Sequence, residues 1–447
     1  MKLKLSELNV LSRYRPKRTR RRKAKKGNIV KKAKGLWQKA LRTENSVKAV
    51  VDGTKYKRGD RAVQKLLYDD EMVEQHPNLY HLIDKNKAVG YVTPLIENLR
   101  NHTWKHGRPK YRRQFCKNKA SNGGKWRDLY IPQLDDHIIA HIIMEPCKEV
   151  FMRGMHPFCC GSVPGRGIKT IVKQVDHWMK DDKECRYFVK LDIVHFFDNI
   201  NGDILMQKLR DKIKDPDILW GHQQIIESAP LACPVGYFTS PWYANLYLEK
   251  LDWHIVQDLF KERRGKRIPY VRHYLRYMDD MLLIGTSKSD LEKAVKEIKR
   301  YLWDELGLEI KPTWEIKAIG KHEYVDGKWK LKKGTYWCDM GGYKFCKDAT
   351  VMRDRIYLSA KHTSRRIFRE ERYTIYRCQS INAKIGWAKH ADSYQFIQNE
   401  IKPYVNIKLT RRIISDVDKN RKQRTGKTGR SSCIRRQSYT QPQLQTG

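Results

Sequence analysis

The chain reads as an α+β protein, and three features carry that expectation. Residues 270–276 are β-prone and residues 281–285 are apolar, with Tyr277-Met278-Asp279-Asp280 between them. This is the pattern of two strands joined by a turn that presents paired carboxylates. Residues 187–191 read as a buried strand that ends on Asp192 and runs into the aromatic cluster Phe196-Phe197. Residues 290–306 place apolar side chains at helical spacing, so a helix is expected behind the sheet.

Other elements follow in chain order. Residues 13–34 are a basic run, either a solvated tail or a segment that folds on RNA. Residues 35–110 read as helices with loops. Residues 120–124, Ala-Ser-Asn-Gly-Gly, read as a hairpin tip. Residues 350–412 are helix-rich and basic, and from about Asp416 the chain turns polar, as a flexible tail would. Gly426-Lys427-Thr428 is not a phosphate loop, because Arg421 stands where the first glycine is required.

Composition narrows the function classes. Lys and Arg number 92 against 50 acids, giving a net charge of +42 and a pI near 9.8. That surplus attracts polyanions, and binding through phosphates weakens steeply with salt. The 12 Trp and 24 Tyr include candidates for stacking on single-stranded bases. With 447 residues the chain is long enough for two or three subdomains. No apolar run reaches the roughly 18 residues of a membrane helix, and no apolar signal segment opens the chain. The ten cysteines form no Cys-x-x-Cys, so a zinc ribbon or redox motif is not expected. Reduced thiols in the cytoplasm are the simplest reading. His137 and His141 share a helical face four apart, but the acid of a zinc-hydrolase helix is missing between them, so they read as structural.

The acids carry the chemistry. Asp279 and Asp280 held close between apolar strands repel each other. A cation and a phosphate would remove that cost, whereas a solvated Asp-Asp hairpin would need neither. Phosphoryl transfer by two metals uses carboxylates bridging ions roughly 3.5–4 Å apart. Mg²⁺ takes hard oxygen ligands. Asp192 from a neighbouring strand would complete such a set; alternatively it caps a helix starting near Phe196.

These motifs, in their order, resemble reverse transcriptases. The carriers are the Tyr-Met-Asp-Asp box and the Phe188-Val189-Lys190-Leu191-Asp192-Ile193 block followed by Phe196-Phe197. Residues 125–132 with 135–139, and 161–167, resemble fingers blocks of bacterial retroelement enzymes. Residues 236–248 resemble their template-contacting block. Residues 306–311 and 340–343 resemble the two blocks after the catalytic hairpin. The resemblance runs from about Tyr111 to about Tyr404.

It implies a right-hand polymerase fold: fingers, a palm with an antiparallel sheet and helices on one face, and a helical thumb. The expected division is a basic N-terminal arm over 1–40, an N-terminal extension and fingers over 41–185, a palm over 186–346, a thumb over 347–412 and a basic, polar tail over 413–447. Too little chain follows the thumb for an RNase H or endonuclease domain. By resemblance, Asp192, Asp279 and Asp280 are the catalytic metal ligands, joined by the backbone carbonyl of Ile193. The expected ions are two Mg²⁺, with Mn²⁺ as a substitute. Lys125, Arg127, Phe197 and Lys311 match nucleotide-binding positions: two basic fingers residues, an aromatic gate against a 2′-hydroxyl, and a general acid for pyrophosphate. Lys317 competes for that last role. Gly236, Ser240, Tyr277, Met278 and Gly342 match template- or primer-binding positions.

The implied activity is RNA-directed DNA synthesis from a dedicated structured RNA, with dNTPs, a DNA product or primer and an accessory subunit as partners. Two settings fit: a diversity-generating retroelement or an anti-phage defence system. Tyr237 and Pro241 replace glutamines common near the ends of the template block, and Ser240-Pro241 departs from the Ser-Gln of diversity-generating elements. The Val-Thr-Gly element of retron enzymes is absent, which places a retron lower. A different class, a catalytically weak RNA-binding scaffold derived from such an enzyme, remains the alternative.

Overall fold

The computed structural model describes residues 32–55, 57, 60–67, 83–117, 124–181, 183–325 and 328–423. Most of the basic arm, the hairpin tip before Gly124 and the tail from residue 424 lie outside the described residues. The end of the arm is placed: Ala33 exchanges backbone hydrogen bonds with Lys212 and Lys214 at 2.8 and 2.9 Å.

Among the described residues, four helices come first: α1 (Leu36–Ala40), α2 (Thr43–Thr54), α3 (Arg61–Leu67) and α4 (Lys85–Arg100). Asp84 caps α4 by accepting from Asn86 N and Lys87 N. A hairpin of β1 (Lys110–Lys117) and β2 (Gly124–Ile131) follows. Helix α5 (Leu134–Gly154) then runs through the main core, with Ile138–Met144 buried without a break. Next come α6 (Ile168–Met179), β3 (Tyr187–Asp192), α7 (Gly202–Lys212), α8 (Pro216–Glu227) and α9 (Ser240–Gln257).

The central sheet is antiparallel. A small hairpin, β4 (Phe260–Arg263) and β5 (Lys266–Pro269), leads into β6 (His273–Tyr277) and β7 (Asp280–Gly285). With β8 (Ile316–Ala318) these give the order β6-β7-β3-β8. Helix α10 (Lys288–Leu306) separates β7 from β8. Ser287 caps its start, Gly307 at φ 63° ends it, and Leu291, Ala294, Val295, Ile298, Leu302 and Leu306 form its buried stripe.

Strand alternation sorts β7 between two cores. Met281 and Leu283 point into the core shared with α5, α9 and α10. Leu282 and Ile284 point into a second core with α6 and the C-terminal elements. The expected helical layer is thus present on one face, and the opposite face is closed by α6 and a small sheet. That sheet is β11 (Cys338–Met340), β12 (Tyr343–Phe345) and β13 (Thr350–Met352), preceded by the hairpin β9 (His322–Val325) and β10 (Lys328–Leu331). Helices α11 (Asp354–Arg369), α12 (Ile375–Ala388) and α13 (Ile407–Gln423) complete the second core.

One expectation fails. No helix starts near Phe196; residues 194–199 form turns, and α7 begins at Gly202 under an Asn201 cap. Asp192 is therefore a strand residue and not an N-cap. The aromatic pair explains the difference, since Phe196 is buried and Phe197 packs beside it with ring centroids 5.5 Å apart. The His137–His141 pair belongs to the core: His137 Nε2 lies 3.2 Å from Gly53 O, and His141 stacks on Phe238 at 3.5 Å. Burial lowers their pKa values to about 4 and about 2.

Candidate active site

Register brings the three acids together. Asp192 at the end of β3 is the direct partner of Asp280 at the start of β7, and Asp279 stands in the turn before it. Like charges directly opposite on a sheet destabilise it. Burial pushes the Asp279 carboxyl up, and the charge of Asp192 adds to the shift against Lys311 and Arg127. Burial likewise raises Asp280, with Lys190 opposing and Asp192 and Asp279 adding. Lys190 Nζ is 3.3 Å from Asp280 Oδ2. Lys311 Nζ is 2.6 Å from Asp192 Oδ1, an ion pair off the axis of a hydrogen bond, so that oxygen retains an unused lone pair.

This donor set fits Mg²⁺: three clustered carboxylates, Asp279 and Asp280 among them raised in pKa, and no soft ligand. The backbone contributes too. Val194 N bonds Glu309 O and Lys311 N bonds Asp192 O, at 2.8 Å each, so the residue between, Ile193, directs its own carbonyl away from that pairing. The same pairing brings Lys311 to the acids. Lys317 lies back along the sheet opposite Phe188, where it pairs with Glu315 and sits over Tyr336.

A buried scaffold holds the acidic turn. Met278 adopts φ 57°, a left-handed conformation costly for a side chain. Arg276, fully buried, donates to its carbonyl oxygen from Nη1 at 2.9 Å. The same guanidinium forks onto Asp252 of α9 at 2.7 and 2.6 Å and reaches Asn245 Oδ1 at 3.1 Å. Tyr274 also donates to Asp252, and Asn245 donates to Gly161 O, both at 2.7 Å. A Cβ on Gly161 would meet Met278 N at 2.6 Å, so only glycine permits this approach. Segment 158–160 pairs along β6 through Arg276 N to Phe158 O and Cys160 N to Arg276 O.

The sequence reading missed Lys190, Arg276, Asp252 and Asn245. A usable signal existed for Arg276: it shares strand parity with buried Tyr274, so a charge there needs an inward partner.

The remaining expected site residues are spread around this centre. Lys125 and Arg127 share one face of β2, and Arg127 is near enough to Asp279 to oppose part of the rise in its carboxyl pKa. Phe197 is half-buried against the main core. Gly236, at φ 118°, lies against β2: Tyr130 N bonds Val235 O, and a Cβ would come 2.4 Å from Tyr130 O. Ser240 closes its own loop by donating to Pro234 O at 2.7 Å. Tyr277 is exposed beside the acids. Gly342, at φ 91°, lies under Trp387 of α12, which a Cβ would meet at 2.5 Å. The two departures from relatives are accommodated: Tyr237 stacks on His106, and Pro241 sits in the first turn of α9, where no backbone donor is needed.

Residues 117–313 match the family described as reverse transcriptase (RNA-dependent DNA polymerase). The chain is similar to Protein YkfC of Escherichia coli strain K12, at 25% identity over 39% of this chain and 55% of that protein. It is similar to the Retron Ec73 reverse transcriptase of Escherichia coli, at 23% over 67% of this chain and 90% of that enzyme. A third relative is the group II intron-encoded protein LtrA of Lactococcus lactis, at 22% over 49% of this chain and 46% of LtrA. The chain thus spans about half the length of YkfC and LtrA, and a retron enzyme stands among its relatives despite the missing Val-Thr-Gly element. Residues 117–313, in a mixed helix-and-strand fold, thus carry a reverse transcriptase domain similar to those of bacterial retroelement enzymes.

Proposed function

We propose that this chain is an RNA-directed DNA polymerase of a bacterial or phage retroelement that copies a dedicated structured RNA into cDNA. The register of Asp192 against Asp280, with Asp279 in the turn between strands, carries the reading. Asp192, Asp279, Asp280 and the Ile193 carbonyl would hold two Mg²⁺ ions, or Mn²⁺ in their place. When bound, such ions lower the pKa of a primer hydroxyl and offset charge on the leaving pyrophosphate. Arg127 forks onto triphosphate oxygens and Lys125 supplies a point charge. Lys311, beside the acids, gives a proton to the leaving pyrophosphate. Phe197 excludes a 2′-hydroxyl. Gly236, Ser240, Tyr277, Met278 and Gly342 shape the path of template and primer, with residues 186–346 acting as palm and 347–412 as thumb.

The test is RNA-templated incorporation of labelled dNTPs with Mg²⁺, using RNA that co-purifies from the native host. Asp279→Asn with Asp280→Asn should abolish incorporation and spare RNA binding. Incorporation that survives the double substitution refutes the assignment. A diversity-generating element that copies a template RNA with an accessory subunit, and an anti-phage defence system with its own non-coding RNA, both fit the chemistry. A neighbouring variable-protein gene with a template repeat selects the first, and a defence island the second.

A further inference from the structure

We propose that His322, Cys346 and Asp348 form a zinc site, separate from the acidic centre, that ties the β9–β10 hairpin to the connection between β12 and β13. The three side chains converge from two chain segments and offer one nitrogen, one sulfur and one oxygen. Cys346 Sγ lies 3.1 Å from Asp348 Oδ1 and 3.7 Å from His322 Nδ1. His322 Nδ1 lies 3.0 Å from the same carboxylate oxygen.

Those edges fit one face of a zinc tetrahedron. Bonds of about 2.3 Å to sulfur and about 2.0–2.1 Å to nitrogen and oxygen require S–N and S–O edges of roughly 3.5 Å and an N–O edge of roughly 3.3 Å. The observed edges of 3.7, 3.1 and 3.0 Å differ from these by no more than about 0.5 Å. Three protein ligands leave a fourth position for water. The exposures of His322 and Asp348, 23% and 33%, leave that position reachable, while Cys346 is buried.

The surrounding backbone already fixes the geometry. Lys347 N bonds Gly320 O at 2.9 Å, and His322 N bonds Asp348 Oδ2 at 3.0 Å. The ring of Trp337 meets His322 edge-on at 5.3 Å and orients it. Little ordering therefore remains for binding to supply. Ligand type separates this cluster from the acidic centre, because thiolate and imidazole suit Zn²⁺ whereas carboxylates alone suit Mg²⁺.

Without metal, the Cys346 thiol and the His322 ring both address Asp348 Oδ1. Burial pushes the thiol pKa up to about 12. Zinc binding replaces the thiol proton, which leaves to solvent as the S–Zn bond forms.

The test uses the full, reduced chain, stripped with a chelator and dialysed against ZnCl₂, with metal content measured by mass spectrometry. Co²⁺ replaces Zn²⁺ in a parallel titration to reveal thiolate-to-metal charge transfer. The wild type should retain one zinc and show the thiolate band. The Asp279→Asn, Asp280→Asn variant should do the same, which assigns the metal to this cluster. Cys346→Ser should lose the band, and both Cys346→Ser and His322→Asn should bind at least tenfold more weakly. No retained zinc, a cobalt spectrum without the thiolate band, or a Cys346→Ser variant that binds like wild type overturns the site. Should Cys346→Ser not fold, the wild-type spectrum and His322→Asn decide. None of these readouts depends on DNA synthesis, so the zinc site and the polymerase reading fail independently.

Discussion

Breaking the Arg276–Asp252 pair should loosen the acidic turn and destabilise the protein together. Both side chains are fully buried. Arg276 makes two bonds to Asp252, one to Asn245, one to the Met278 carbonyl and one to Cys159 Sγ. Replacing Asp252 with leucine leaves a buried guanidinium without its counter-charge, a loss of about 3–5 kcal/mol. That lowers the folding equilibrium roughly 150- to 4,000-fold, a large share of the 5–15 kcal/mol typical of a domain. Arg276→Met should cost a similar amount, because Asp252 then stands unpaired and the Met278 carbonyl loses its donor. Combining Asp252→Leu with Arg276→Met removes both charges, so the double variant should be less destabilised than the sum of the singles by at least about 2 kcal/mol. Urea denaturation followed by tryptophan fluorescence measures this cycle. Primer extension at temperatures where each variant stays folded measures the turn, and the double variant should recover stability without recovering full activity. Strictly additive stabilities, or a stable Arg276→Met enzyme of wild-type rate, would refute the scaffold argument.

Gly161→Ala should place a methyl group against Met278 N and cut incorporation about 10²-fold with little change in overall fold, since small displacements at a reacting centre are costly; an alanine variant of unchanged rate would show that the turn can yield. Lys311→Gln should slow incorporation by about 10²-fold or more, as loss of a general acid does, yet shift stability by less than about 1 kcal/mol because its ion pair is half-exposed. Lys317→Gln is the matched control and should leave the rate unchanged; equal effects from the two would remove Lys311 from its role. His141, with its pKa lowered to about 2 by burial and by the nearby charges of His137, Lys148 and Lys57, stays neutral when folded and titrates near 6.5 when unfolded. Its stability contribution is therefore full above pH 6.5 and declines as pH falls toward 2. His141→Phe keeps the stack on Phe238 and should flatten the loss of stability on acidification, read as thermal midpoints from pH 7 to 4.

Much of the site was legible because its determinants are local. The Tyr277-Met278-Asp279-Asp280 box could be read as a turn from the strands on either side, and helix α10 from its apolar period. The pairing of β3 with β7, which sets Asp192 opposite Asp280, was foreseeable in outline from two apolar strands that each carry an acid. The Asp192 capping alternative failed because burial of Phe196 outweighed any local tendency to start a helix there. Lys311 and Lys317 were indistinguishable by type, and only the crossing of residues 309–311 beside Asp192 separates them.

Taken alone, the sequence determined the α+β class, the acidic turn, the strong positive charge and the order of motifs, because short-range periodicity and residue chemistry carry that information. Tertiary structure alone decided which distant groups meet. Arg276 finds Asp252 and Asn245 across the core, Gly161 clears space for the Met278 backbone, and His322 meets Cys346 and Asp348 through the folding of two strand pairs. Such contacts depend on register and layer packing, which sum over many residues and leave no mark at the individual positions they join.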